Sequence, residues 1–252
     1  PLAGRVSRDL LGLMTTELTM DPYTPFCGTP PLPTELLTRW TFDPWLIGGL
    51  LTAFSIGIMV ADNRRRFSAA MALVAVLFIS PICAASMALF SARVAQHILL
   101  TLAAAPLLAA ALPALRLPSL PLAVVFAVLF WFWHAPAPYQ ATLESDLMYW
   151  TMHLSLLGAA VALFSAIFAA PERAILGAAL TGAQLTIFAT VLTLSPQVWH
   201  PWHQLTTVPY GLSALADQQL AGALMWVAGG ALFLAVVGWA AAAFLRRAQA
   251  DG

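Results

Sequence analysis

Seven apolar runs, at about 45–61, 68–90, 92–112, 119–135, 147–170, 174–194 and 217–245, restrict what this chain can fold into more than anything else in it. A helix needs about 20 apolar residues to cross the roughly 30 Å hydrocarbon core of a bilayer. Most of the runs reach that length; the first and fourth are the shortest. Lipid offers no water to a backbone, so a spanning segment must satisfy its own N–H and C=O groups, and these runs are read as helices. The expected fold is an all-α integral membrane protein, a seven-transmembrane-helix bundle over 45–245. Pro81 and Pro106 fall inside the second and third runs and should kink them.

Composition agrees with lipid as the solvent. The chain is 61% hydrophobic and 9% charged, whereas soluble domains carry about a quarter charged residues. Its basic charge is all arginine, balanced by the acids to a net charge near zero. No basic run is interleaved with aromatics, which excludes nucleic acid as a partner. Cys27 and Cys83 are too few for a disulfide framework and are expected at different depths.

Residues 1–44 form the one long stretch outside the runs and are read as an extracytoplasmic segment. Pro1–Thr19 is too short and polar to span and lacks the order of a cleaved signal. Met20-Asp21-Pro22-Tyr23 reads as a translation start, making residues 1–19 an upstream extension. The prolines of 21–40 favour an extended, tethered chain there.

Arginine placement orients the bundle. Arg64, Arg65 and Arg66 follow the first run, Arg116 the third and Arg173 the fifth, with Arg246 and Arg247 after the last. With seven spans these sites share one side, opposite Glu144, Asp146 and Asp217, and only Arg93 runs against the trend. The expectation is a multi-pass protein of the bacterial inner membrane, N-terminus outside and tail 246–252 in the cytoplasm.

That topology puts all five histidines on the outer side. His97 and His153 sit one to two turns inside their spans, His134 closes the fourth, and His200 and His203 lie in the last outer loop. An imidazole in lipid needs a partner or a function. The ordinary reading, interfacial anchoring beside tryptophan, suits His200 and His203, which flank Trp202; the deeper pair points to function. Imidazole with thioether and thiol suits copper. Sulfur occurs at the same depth in Cys83 and Met87, and in Met148 and Met152 beside His153, although methionine also fills gaps in apolar cores. Asp217 reads equally as a helix N-cap and as an acceptor orienting a histidine ring. Gln184 should find an interhelical partner, and Arg93 should snorkel or pair with an outer carboxylate. Metalloprotease, Walker and nucleophile-elbow motifs are missing, so no enzyme is expected. Pro201 argues against a helical metal face at His200-x-x-His203, leaving chelation from a loop.

Several motifs occur together in order: Gln96-His97-Ile98-Leu99-Leu100 with Pro106-Leu107-Leu108, Trp133-His134-x-Pro136-x-x-Tyr139, His153-Leu154-Ser155, and Asp217-Gln218-Gln219-x-Ala221-Gly222-x-x-Met225-Trp226. This series, from about Asp21 to Phe244, resembles the multi-span CtaG family of cytochrome c oxidase assembly factors. The single-span copper chaperone that shares the name is not similar. The resemblance implies a seven-helix inner-membrane protein needed for active oxidase at the copper-loading stage, with oxidase subunits or another copper chaperone as partners. It maps motif residues onto His97, His134, His153, Asp217 and Met225, with Gln96, Gln218, Arg93 and Tyr139 in support. Many members carry a histidine where this chain has Arg93. If that histidine is a ligand elsewhere, this protein uses fewer nitrogens or recruits His200, His203 or a sulfur.

Two other classes remain open at this stage. A haem-b redox protein would use His97 with a second histidine, but no histidine lies at the inner depth where a second haem would sit. A copper transporter would need ligands along a full path, and the inner halves offer little beyond Gln184 and hydroxyls.

Overall fold

A computed structural model describes residues 23–250. The reading of residues 1–19 as an extension lies outside the described residues. Within them the chain is helical with no strand. We label the long elements α1 (Pro44–Val60), α2 (Arg64–Ile79), α3 (Pro81–Ala88), α4 (Phe90–Ala109), α5 (Ser119–His134), α6 (Pro136–Glu144), α7 (Asp146–Ala169), α8 (Ile175–Leu194) and α9 (Ala214–Leu224, running on through Met225–Gly229 to Gly230–Ala250). Among the described residues, α4, α7, α8 and α9 are the single helices long and apolar enough to cross a membrane. Two bent pairs, α2–α3 at 50° and α5–α6 at 70°, raise the number to six. The first run forms a helix of 17 residues, short of a span by length. The last helix continues through residues 246–250.

The bends follow from proline. Pro81 has no N–H for the carbonyl of Leu77 and its ring disfavours helix in the residue before it. The helix stops at Ser80, whose side chain caps α3 by accepting from the Ile82 N–H at 3.3 Å. Pro136 does the same after His134. Pro106 acts differently: α4 stays continuous, and five residues ahead of the proline, Leu100–Ala104, widen into a π-helical turn. A π turn is one way a helix accommodates a missing donor.

A second break, at Leu89, is closed by distant residues. The Trp202 indole donates to Met87 O at 2.9 Å and the Thr206 hydroxyl to Ala88 O at 2.8 Å. On the far side of the break, Asp217 Oδ2 accepts from the Phe90 N–H at 2.6 Å, and the carboxylate also takes the N–H and hydroxyl of Ser91. Asp217 is therefore a cap for α4, supplied by α9, whose own cap is Ser213. It bonds no histidine, which corrects both readings made from sequence.

Around this frame α8 packs between α5 and α9, and α7 against α5 and the end of α4. The α8–α9 crossing is close because Gly222 lacks a Cβ; one there would sit 2.8 Å from Ala189 O. The Pro-rich segment lies against the bundle in turns and a short 3-10 helix, Leu36–Thr38, where the prolines predict an extended chain. Arg39 bonds Thr29 O at 3.0 Å, Thr41 N–H donates to Ile79 O at 2.9 Å, and the Tyr210 hydroxyl to Pro31 O at 2.9 Å. A Cys27–Cys83 disulfide pins it to α3, with the Cα atoms 5.3 Å apart. The expectation that the two cysteines lie at different depths is corrected: the segment folds back onto the bundle and carries Cys27 down to Cys83.

Candidate functional site: a buried histidine cluster

Three helices each bring one imidazole to the same place. His97 lies two turns into α4, His134 ends α5, and His153 lies two turns into α7; all three are buried. His97 Nδ1 is 3.3 Å from His134 Nε2, and His97 Nε2 is 3.3 Å from His153 Nε2. The outer two are locked by their own helices. His134 Nδ1 is 2.7 Å from Phe130 O, and His153 Nδ1 is 2.8 Å from Tyr149 O. A carbonyl only accepts, so each Nδ1 carries the proton, and a neutral ring then leaves each Nε2 bare.

His97 thus stands between two lone pairs. A neutral His97 has one N–H to offer, which satisfies one neighbour and turns a lone pair against the other. Protonating it would serve both, but that buries a cation one turn from the Arg93 guanidinium, without a carboxylate to offset it. A small cation shared with the bare nitrogens would remove the conflict, and Nδ1–H bonded to backbone carbonyl is how metal-binding histidines are commonly oriented.

Beside the rings lies a cavity of about 10 Å³, lined by His97, His134, Thr101 and Met225. It is about the size of one water-sized species. Met225, one of the motif residues, brings a thioether to the cavity from a second π turn, Met225–Gly229. Gly229, at the end of that turn, approaches Ile98 and Leu102 of α4. Neither π turn was read from sequence, although Pro106 and the Gly229-Gly230 pair are the local signals. His134 stands on equal terms with the deeper two, contrary to the weight its rim position suggested. Among the described residues, no group of three or more His, Cys, Asp or Glu is placed to hold a metal ion. His97 presents a different nitrogen to each neighbour, so the trio is a chain and not a cage.

The remaining candidates are placed as follows. Cys83 is half of a disulfide, so its thiol is not available as the expected ligand. Both sulfurs of that bridge meet the Tyr149 hydroxyl, at 3.2 and 3.8 Å, and the Tyr149 ring packs 4.2 Å from His153. Met87 turns its sulfur to Arg93 Nη2 at 3.7 Å, and Met152 is buried in the core. Gln96 Nε2 donates to Leu77 O at 2.8 Å, supplying the bond that Pro81 cannot make, and so props the bend. Gln218 accepts the Trp199 N–H at 2.8 Å and donates to Gln197 O at 3.0 Å, so it fixes the link between α8 and α9 and bonds no histidine. The expected partner of Gln184 is missing: neither amide atom is bonded among the described residues.

Arg93 is fully buried, does not snorkel, and meets no carboxylate among the described residues. Its guanidinium lies over the rings of Tyr139, 5.2 Å away, and Tyr149, 5.7 Å away, and reaches Thr142 Oγ1 at 3.3 Å. Outside the spans, His203 is fully used. Its Nε2 meets the Tyr139 hydroxyl at 2.7 Å and its Nδ1 lies 3.3 Å from Ala88 O. His200 stacks on Tyr139 and Phe90 with both ring nitrogens unbonded among the described residues. Burial, then the charge of His203, pushes His200 down to about 2. Burial, then Arg93, pushes His203 down to about 3.

No curated protein and no solved structure matches the chain. The family model of the cytochrome c oxidase caa3 assembly factor, Caa3_CtaG, matches residues 59–123 and 118–247. Those two stretches hold every helix from α2 to α8, nearly all of α9, and all five histidines. The chain belongs to the caa3 cytochrome c oxidase assembly factor family.

Proposed function

We propose that the chain is an inner-membrane assembly factor that carries copper on the His97, His134 and His153 cluster and passes it to the oxidase during assembly. One observation carries this reading: two bare Nε2 atoms, fixed by backbone carbonyls, face a third imidazole that cannot satisfy both. Copper is cargo here, not a resident cofactor. His97 with His134 or His153 would grip it, and the Met225 thioether adds the soft donor that favours Cu(I). A chain of donors, each able to bind and release, suits transfer better than a closed cage. We place the cluster on the outer face and count seven spans, with α1, short by length, crossing as the first. Copper then arrives from outside without crossing the bilayer.

The test is metal analysis of detergent-purified protein, with and without added Cu(I). One copper per chain is expected, with His97→Ala and His153→Ala lowering occupancy more than tenfold and His200→Ala changing it less than threefold (orders of magnitude for loss of a ligand). Absence of copper in the wild type would sink the reading. In cells, deletion should lower oxidase activity under copper limitation while subunit synthesis continues.

A haem-binding reading has one observation in its favour. His153 lines an apolar cavity of about 350 Å³ bounded by α1, α2 and α7. A Soret band in the purified protein would favour it over copper.

A further inference from the structure

At the end of the bundle opposite the histidines, a cavity of about 350 Å³ opens among the start of α2, the end of α4, the end of α7 and the last turns of α9. Its rim carries Arg66 and Arg116, and its wall is Phe168, Trp239 and Phe244. Arg66 is held in place: its guanidinium lies 5.2 Å over the Trp239 ring and its Nη1 reaches Ala110 O at 3.4 Å. Arg116 also lines an adjoining cavity of about 520 Å³ that runs toward Arg173. Among the described residues the ion pairs are Arg39–Glu35 and Arg173–Glu172, so neither Arg66 nor Arg116 has a carboxylate partner. Asp62 shares the rim and leaves it one positive charge in excess.

Two guanidinium groups above a wall of aromatic rings match a molecule with an anionic oxygen head and an apolar tail. Guanidinium binds phosphate through paired N–H donors, and basic pockets between membrane helices bind anionic headgroups. A free phosphate would use the arginines and leave the rings bare. A zwitterionic lipid would bring a cationic group against the arginines. We propose that this cavity binds one anionic phospholipid, its phosphate between Arg66 and Arg116 and an acyl chain along Phe168, Trp239 and Phe244. The site goes beyond copper handling and does not depend on it.

The experiment is thermal unfolding of the full chain in detergent, titrated with phosphatidylglycerol, phosphatidylcholine or inorganic phosphate. Phosphatidylglycerol should raise the apparent Tm by about 5 °C at saturation, and the other two by less than about 1 °C. The double variant R66Q/R116Q should lose most of the shift. The variant R64Q/R65Q, equal in charge but outside the cavity wall, should keep it. An equal loss in both variants would mean diffuse attraction and would overturn the site, as would an equal rise with phosphatidylcholine or phosphate. If R66Q/R116Q does not survive purification, native mass spectra of the wild type in mixed lipid decide. Retention of one phosphatidylglycerol in preference to phosphatidylcholine supports the site, and equal retention overturns it.

Discussion

Asp217 shows how much one side chain can hold in this bundle. Its carboxylate receives two backbone N–H groups and a hydroxyl at the start of α4, where lipid would offer them nothing. Asp217→Ala should cost about 2–4 kcal/mol, the sum of a lost cap and buried donors left unpaired. Asp217→Asn, which keeps one acceptor oxygen, should cost about half as much. Unfolding in a denaturing detergent titration checks both, and a neutral alanine variant would refute the cap. Sequence pointed to the right residue for the wrong helix. A cap's local signature spans three or four positions, whereas this partner is 127 residues away. His97 and His153 were legible because an imidazole deep in an apolar run has few ordinary explanations. His134 was underweighted because the 70° bend after it, which buries the end of α5, cannot be read from the run itself.

At the scale of elements, proline sets the breaks at Pro81 and Pro136, while the break at Leu89 has no sequence signal of its own and is made by residues that reach it from the α8–α9 link and from α9. The disulfide was missed for a related reason: depth read from runs says nothing about an irregular segment that folds back. It closes a loop of 56 residues. In the chain-entropy view that is worth about 4 kcal/mol, and less where the unfolded chain stays in the membrane. Cys27→Ser should therefore lower the apparent Tm, and reductant should move the wild type but not the variant. The link between α8 and α9 should also respond to acid. His200 and His203 are buried neutral, held at about 2 and about 3 against an ordinary 6.5. Below pH 6.5 the unfolded chain takes up protons that the folded one refuses. Stability is thus full above pH 6.5 and falls as the pH drops toward 3. Melting at pH 7.5 and 5 checks this. His203→Gln, which removes one of the two titrating rings, should flatten the slope.

For the whole molecule, charge asymmetry supports the proposed orientation, and helix length gives four spans among the described residues, or six with each bent pair taken as one. The arginines of the first turn of α2, the α4–α5 link and the α7–α8 link lie away from the histidine end, as the runs suggest. A reporter active only in the periplasm should be silent when fused after residue 252. Activity there would reverse the proposed orientation. Span boundaries were legible to within a few residues for α7 and α8, because a long uninterrupted apolar helix announces its own length. They were least legible where a run breaks inside, since the pieces together bury a backbone that neither could bury alone.

The break at Leu89 bears on synthesis. The chain emerges from the ribosome at roughly 5–20 residues per second, so the 127 residues between Phe90 and Asp217 take about 6–25 s to make. Throughout that interval the start of α4 waits in the membrane with its first amides open. Its final partner arrives with the last helix. The histidine cluster, two turns further along the same helix, therefore stands on a helix whose first amides stay open until α9 has been made.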